Sequence, residues 1–352
     1  MTWLAAWNRA VVGAALRRAI AVWVGTGIVG GVLFGPTAMH PRDLTGLALH
    51  QPAVGAVLAV TWLLVFLPAA RVIVRGDAAA YLRSLPHPEV APLAVGAAAL
   101  IALQLPWLAL WAIGEGFLGL AIVGAETLVI AVVARWRPPR PGVRPPGWRT
   151  PGGALRSIHL RALRRRAGDA LVRAAGLAVL AGVAAGFFVR NNGLTGADAA
   201  TLGAPAIAIV LVPAVVGLLL VAVETHRSTA WLAASLGIAH GARVAALGGA
   251  LLAVYATATA IAVAAAQLVA RLDAASFAWV AGTSLVAALG SAIGATRAVV
   301  AAEASPTAAA RVVAGAVVVA AACVLALGLF GIPGLAAFVA AMTAWLLRAQ
   351  PA

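Results

Sequence analysis

The sequence contains no lysine. All 25 of its basic residues are arginine, and that absence removes whole classes of chemistry. A P-loop needs the lysine of G-x-x-x-x-G-K-[ST] to reach the phosphates, so the chain holds no standard Walker ATPase. Lysine Schiff-base catalysis is excluded with it. Cys323 is the one cysteine. It lies in an apolar run, so no intrachain disulfide can form, and its expected use is packing. The 10 acidic residues include no paired-aspartate motif of the kind that holds magnesium in intramembrane prenyl transfer. The six histidines are scattered, with no H-E-x-x-H. The expectation is therefore no catalytic residue, no metal, no cofactor in this chain, and no enzyme by itself.

Charge is also scarce. Charged residues make up 10% of the chain and hydrophobic residues 63%, with a mean hydropathy of +1.02. A soluble domain is nearer a quarter charged and half apolar, and no single soluble core could bury this much apolar surface. Many stretches run near twenty apolar residues, the length that crosses the hydrocarbon layer. The pattern gives an all-α fold, a polytopic membrane bundle of about ten transmembrane helices. The expected spans are 19–35, 52–74, 91–113, 116–134, 170–189, 204–223, 243–268, 276–298, 311–330 and 333–348. The third and fourth nearly touch through Gly114-Glu115-Gly116, and the last two through Gly331-Ile332-Pro333-Gly334. Both read as helical hairpins turning at the outer surface. The first span, preceded by Arg17 and Arg18, reads as an uncleaved helix rather than a signal peptide.

A net charge of +15 would suggest nucleic acid in a soluble protein. Here it follows topology instead. With the N-terminus inside, only Arg42, Arg190 and Arg271 fall in outer loops, and every other arginine falls in a cytoplasmic segment or adjoining helix end. That bias places both termini in the cytoplasm. No nucleic-acid partner is expected. The Ala/Arg/Gly-rich, lysine-free composition suggests a GC-rich bacterial genome, hence a multi-pass protein of a bacterial cytoplasmic membrane.

The organisation reads as a first half at 1–135 with four helices, a linker at 136–169, and a second half at 170–352 with six. From Arg135 to Gly153 the run RWRPPRPGVRPPGWRTPGG blocks helix continuation. After it, Leu155, Ile158 and Leu163 fall near one face of an arginine-rich segment, which reads as a basic helix on the inner leaflet or a solvated positive-inside loop. Trp3, Trp7, Val11 and Ala14 recur at helical spacing at the N-terminus, with tryptophan suited to the interface. Each half thus opens with a surface helix before its first span, which suggests a degenerate four-span repeat plus two extra spans.

Two inner loops carry short amphipathic helices. In VRGDAAAYLRSLPHPEVAP, Ala78, Tyr81, Leu82 and Leu85 form one face, Asp77 can cap, Asp77 and Arg83 look elsewhere, and Pro86 and Pro88 stop the helix. In VETHRSTAWLAASLGIAHGAR, Ser228 or Thr229 can cap, Trp231, Leu232 and Leu236 are apolar, and Gly237 is placed to end the helix. A charged residue after the second span, then Y-L-R-S-L-P, then the third span, resembles the permease subunits of ABC-2-type exporters. The resemblance covers the loop at 75–90, the elbow-like surface helices and the general span pattern. Ten spans and unequal halves depart from that family's six-span pattern and turn the resemblance toward a larger branch such as the Ecs-type permeases.

The resemblance implies a separate ABC ATPase subunit, in two copies, that binds ATP and docks on loops 75–90 and 224–243. The implied coupling residues are Asp77, Tyr81, Leu82, Arg83, Leu85, Glu224, Trp231 and Leu232. Membrane lipid, and a homodimer or second permease chain, complete the implied partners. Export is the implied direction, because the outer loops are short and offer no binding-protein dock. Glu126, the only acidic residue deep in a span, should face the bundle or a water-filled path. Gln104 and Pro106 in the preceding span are expected nearby, with a kink at Pro106 freeing backbone carbonyls. Glu126 and Gln104 are the candidates for a translocation pathway. Glu126 also keeps a secondary transporter in view, and the basic stretch keeps a membrane scaffold or intramembrane enzyme in view. Glycine pairs at G-x-x-x-G spacing, 31/35, 182/186 and 290/294, are expected to pack helices within the chain.

Overall fold

The computed structural model describes residues 3–34, 40–76, 82, 91–136, 150–303 and 305–348. Among these, every regular element is a helix. In lipid a backbone must satisfy its own hydrogen bonds, and a helix does so within one segment. The chain divides into two compact units, residues 1–142 and 143–352, parting within the proline-rich stretch.

In the first unit, α1 (Trp3–Trp7) runs through a π-helical turn, Asn8–Val12, into α2 (Gly13–Leu33). The wider turn shifts the register. The buried stripe is Trp7, Val11, Ala15 and Ala19, four residues apart throughout, and the expected Ala14 is only half-buried. The short helix α3 (Pro41–His50) buries Leu44, Thr45 and Ala48. Next comes α4 (Pro52–Arg75), which ends at Gly76 with φ 58°, the left-handed geometry that glycine adopts without strain.

The expected third span is broken. Helices α5 (Ala91–Leu103) and α6 (Leu105–Glu115) meet at Gln104 with a bend of 63°. Pro106 sits in the first turn of α6, where its missing N–H costs nothing. Beside the break, the indole of Trp23 donates to the carbonyl of Leu103 at 3.2 Å. Gly116 (φ 57°) then turns the chain into α7 (Phe117–Arg135). The turn is tight: a Cβ added at Gly119 would strike the carbonyl oxygen of Trp111.

The second unit opens with α8 (Pro151–Arg166), capped by the Thr150 hydroxyl accepting from the Gly153 N–H at 3.2 Å. Its buried stripe is Leu155, His159 and Leu163, packed on α10 (Gly196–Ser228) and α12 (His240–Ala270). The apolar face expected to rest on the leaflet is therefore turned onto the protein, and Ile158 lies only half-buried. The unit continues through α9 (Gly168–Asn191), α11 (Ala230–Ser235), α13 (Ala274–Ala302) and α14 (Ala308–Leu347).

Within α14, Gly331 (φ 61°, ψ −145°) departs from helical geometry. Val319 and Met342, one from each arm, both lie where a Cβ added at Gly294 would meet them. The two arms are therefore folded back on each other. The core gathers Leu219, Leu247, Leu251, Val299 and Val312 in one cluster and Cys323, Leu327, Leu335 and Phe338 in another.

Small residues set the closest approaches. A Cβ at Gly182 would hit the Ala262 carbonyl, and one at Gly186 would come within 2.8 Å of the Ala266 carbonyl, so α9 and α12 touch backbone to backbone. Gly290 makes the same kind of room for Phe338 at 2.5 Å. These two G-x-x-x-G pairs pack helices within the chain. The pair at 31/35 lies outside the described side chains.

Among the described residues, six helices are long and apolar enough to cross a membrane: α4, α7, α9, α12, α13 and α14, the last counted once. The bent α5–α6 pair and the α10–α11 run raise the number to as many as eight.

Candidate functional site

In the first unit, the two residues expected on a pathway are linked by aromatic rings. The indole N–H of Trp107 donates to Glu126 Oε2 at 2.7 Å. The indole of Trp62 donates to Gln104 Oε1. Trp62 and Trp107 stack at 4.5 Å with planes 13° apart, and Trp111 meets Trp107 edge-on at 6.0 Å. Gln104 is fully buried because it occupies the break between α5 and α6. Glu126 Oε1 is buried and makes no hydrogen bond among the described residues. The carboxyl is thus held by one donor, with its other oxygen unpaired in an apolar setting. The tryptophans were not anticipated as its partners. Their signal was the W-x-x-x-W spacing of Trp107 and Trp111, directly after Pro106.

Of the first-loop coupling residues, Asp77, Tyr81, Arg83 and Leu85 lie outside the described residues. Leu82 is described, and the expectation for it needs correction. Its side chain is 3% exposed, and its carbonyl accepts from the Trp3 indole at 2.9 Å. A leucine spent on its own unit is not a free contact for a partner.

The second loop differs. Trp231 is 70% exposed and Leu236 64% exposed, Glu224 is exposed and Leu232 half-buried. Helix α11 stands on Ala233, which is fully buried. It ends at Gly237 (φ 63°) with Ile238 N–H donating to the Ala233 carbonyl at 2.9 Å, the glycine stop that the spacing suggested. The expected cap is not made. The Thr229 hydroxyl donates backward to the carbonyls of Thr225 at 2.9 Å and His226 at 3.1 Å.

Both ends of α11 are tied to one turn. On its N-terminal side, Arg227 donates to the Glu303 carbonyl at 2.6 Å and the Ser305 carbonyl at 2.9 Å. On its C-terminal side, Arg243 Nη2 donates to Glu303 Oε1 at 2.8 Å and to the His226 carbonyl at 3.2 Å. His226 Nε2 lies 3.5 Å from Glu303 Oε2. His159 of α8 stacks on His226 at 5.8 Å. Burial first, then His226 and Arg243, push the His159 imidazole down to about 4. Glu303 was missed at the sequence level, though it is the sole acid C-terminal to Asp273, set among arginines at helix ends.

Elsewhere in the second unit, a cavity of about 20 Å³ lies between α10, α12, α13 and α14. Thr259 and Ser284 line it, and their buried hydroxyls make no hydrogen bond among the described residues. That is room for a water molecule.

No family profile, no curated protein and no solved structure matches this chain. The fold itself defines the class: a multi-pass helical membrane protein.

Proposed function

We infer that this chain is the membrane-spanning permease subunit of an ABC exporter in a bacterial cytoplasmic membrane, driven by a separate ATPase. The topology proposed with it has ten crossings: α2, α4, the α5–α6 pair, α7, α9, α10, α12, α13 and the two arms of α14. The arginine-rich ends of these helices, and both termini, then lie inside. The chain carries no lysine, so ATP would be bound by the partner, present in two copies.

The observation that carries the reading is α11. A six-residue helix too short to span presents Trp231 and Leu236 outward, while the residues flanking it are pinned to the turn between α13 and α14. An exposed apolar knob on a fixed base suits a lever: a partner that grips the knob moves the helices behind it. The loop at 75–90 is the second dock in this proposal, with Asp77, Tyr81, Arg83 and Leu85 as its contacts.

The test is purification of the tagged full chain from its native membrane, followed by identification of copurifying Walker-motif proteins. The double variant Trp231→Asp/Leu236→Asp should insert normally and lose the ATPase. Retention of the ATPase at wild-type stoichiometry and activity would sink the docking assignment. One observation favours a second reading, a secondary transporter: the single-donor carboxyl of Glu126 inside the first unit. Transport by proteoliposomes of the chain alone, driven by an ion gradient without ATP, would support that reading instead.

A further inference from the structure

A slot of about 770 Å³ opens in the first unit among α1, α4, α5, α6 and α7, a volume in the range of small-molecule sites. It follows α7 from Leu120 to Arg135. That run is about 22 Å at 1.5 Å per residue, most of the roughly 30 Å hydrocarbon thickness. The walls are apolar for nearly the whole length, and Leu128 in the middle is largely exposed. At Gly124 an added Cβ would meet nothing within 4 Å, so the glycine faces open space.

The polar features are unevenly placed. Arg135 is the one charged side chain on the lining, and no carboxylate lines the slot among the described residues. Arg75 stands at the same end, its guanidinium donating to the carbonyls of Ala134 at 2.9 Å and Trp136 at 2.7 Å. Trp3 and Trp7, stacked at 5.2 Å, also line the slot, and tryptophan is the residue of the headgroup level. One end is thus cationic and aromatic, and the rest is apolar apart from Gln104 and Thr127.

We propose that this slot is a binding site for an anionic glycerophospholipid of the surrounding membrane, with its headgroup at Arg135 and an acyl chain lying along α7. The shape takes a chain rather than a compact solute, and the lone cationic end selects a negative headgroup over a zwitterionic one. The inference stands on the first unit alone and is independent of the transport reading.

The experiment uses the full chain in nanodiscs of phosphatidylcholine doped with a photoreactive phosphatidylglycerol or, in parallel, a photoreactive phosphatidylcholine. Both probes carry the reactive group on the acyl chain, and labelled peptides are mapped. Phosphatidylglycerol should label α5 and α7 peptides several-fold more than phosphatidylcholine does. Gly124→Trp, which fills the slot, should cut that labelling several-fold. Gly282→Trp, placed at a second-unit glycine with nothing within 4 Å of an added Cβ, should leave it unchanged. Arg135→Gln should keep the labelling but erase the preference between the two lipids. Equal labelling by both probes in the wild type, or labelling of α7 indifferent to Gly124→Trp in a protein that still elutes as the wild type does, would overturn the proposal. Absence of α7 labelling by either probe would mean that protein, not lipid, covers the slot, and would overturn it equally.

Discussion

Gly116 and Gly331 do the same job in two different hairpins. Gly116 has φ 57° and ψ −127°, and Gly331 has φ 61° and ψ −145°. Three residues beyond each stands a second glycine, and a Cβ added there would strike a carbonyl five residues before the turn, that of Trp111 at Gly119 and that of Ala326 at Gly334. The positive φ reverses the chain, and the missing Cβ lets the returning helix lie on the backbone of the outgoing one.

This pairing predicts how substitutions behave. Gly334→Ala places a methyl against a backbone oxygen that cannot rotate away, so it should cost about 1–3 kcal/mol, the usual range for overpacking. Gly328→Ala meets nothing within 4 Å and should be neutral or slightly stabilising, because it removes helix-interior glycine. Thermal unfolding in detergent compares the two. Equal melting temperatures would mean that the arms of α14 do not close on Gly334.

Both hairpins were legible in the sequence, because Gly114-Glu115-Gly116 and Gly331-Ile332-Pro333-Gly334 each break a long apolar stretch in two. The helical membrane class was legible from run length alone. The site was legible only in part. Glu126 and Gln104 stood out as polar residues in apolar runs, but the indoles joining them come from α4 and α6, and no local pattern encodes that meeting. For Leu82 the periodicity gives one apolar face with Ala78, Tyr81 and Leu85, and the resemblance implies that this face meets a partner. Periodicity gives a face, not what the face meets, and here Leu82 is buried in its own unit. The Arg243–Glu303 contact spans sixty residues, beyond any motif.

The Glu126–Trp107 hydrogen bond separates two variants of one residue. Glu126→Gln keeps an acceptor for the indole and should change stability little. Glu126→Leu leaves the Trp107 N–H without its partner and should cost about 1–3 kcal/mol. If Glu126→Gln melts like the wild type but loses transport, the carboxyl itself works in the pathway. If Leu and Gln melt alike, the indole does not depend on Glu126.

Helix α10 bends by 50° between Val212 and Ala214, and as one crossing it would hold its two ends on opposite sides of the membrane. Thr195 precedes it and Ser235 lies past its far end. In a Cys323→Ser background, Thr195→Cys should react with an impermeant maleimide from outside intact cells, and Ser235→Cys only after permeabilisation. Labelling of both from outside would refute the orientation proposed above.

His159 predicts an acid-labile second unit. Its folded value is lowered from 6.5 to about 4, so between these values the unfolded chain binds a proton that the folded chain refuses. Stability contributed by the neutral imidazole is fully present above about 6.5 and falls as pH drops toward 4, by roughly 3 kcal/mol at 1.36 kcal/mol per unit. His226 on α10 and Arg243 on α12 face the group, and Glu303 after α13 in turn contacts both of them. His159→Phe can keep the stacking on His226 without the proton. Its melting temperature should therefore fall less than that of the wild type between pH 7 and pH 5. Parallel curves would assign the acid sensitivity elsewhere.

The Arg243–Glu303 pair links stability to the proposed mechanism. The two side chains are 13% and 24% exposed, so the pair is partly shielded from water. A charge-assisted hydrogen bond is worth about 1.5–3 kcal/mol when buried, and solvent screening should reduce this to about 1 kcal/mol. A double-mutant cycle with Arg243→Ala and Glu303→Ala measures that coupling free of each residue's other contacts. The functional prediction is sharper. Glu303→Ala leaves Trp231 and Leu236 untouched, so a bound ATPase should stay bound. The variant does remove the carboxylate that ties the far side of α11 to the α13–α14 turn, so motion of α11 should no longer reach those helices. The expected phenotype is wild-type ATPase stoichiometry with ATP hydrolysis retained and transport reduced several-fold. If Glu303→Ala transports at the wild-type rate while the double-mutant cycle still shows coupling, the bond is a structural staple and α11 does not work as a lever. Loss of the ATPase on Glu303→Ala alone would instead make the turn part of the dock.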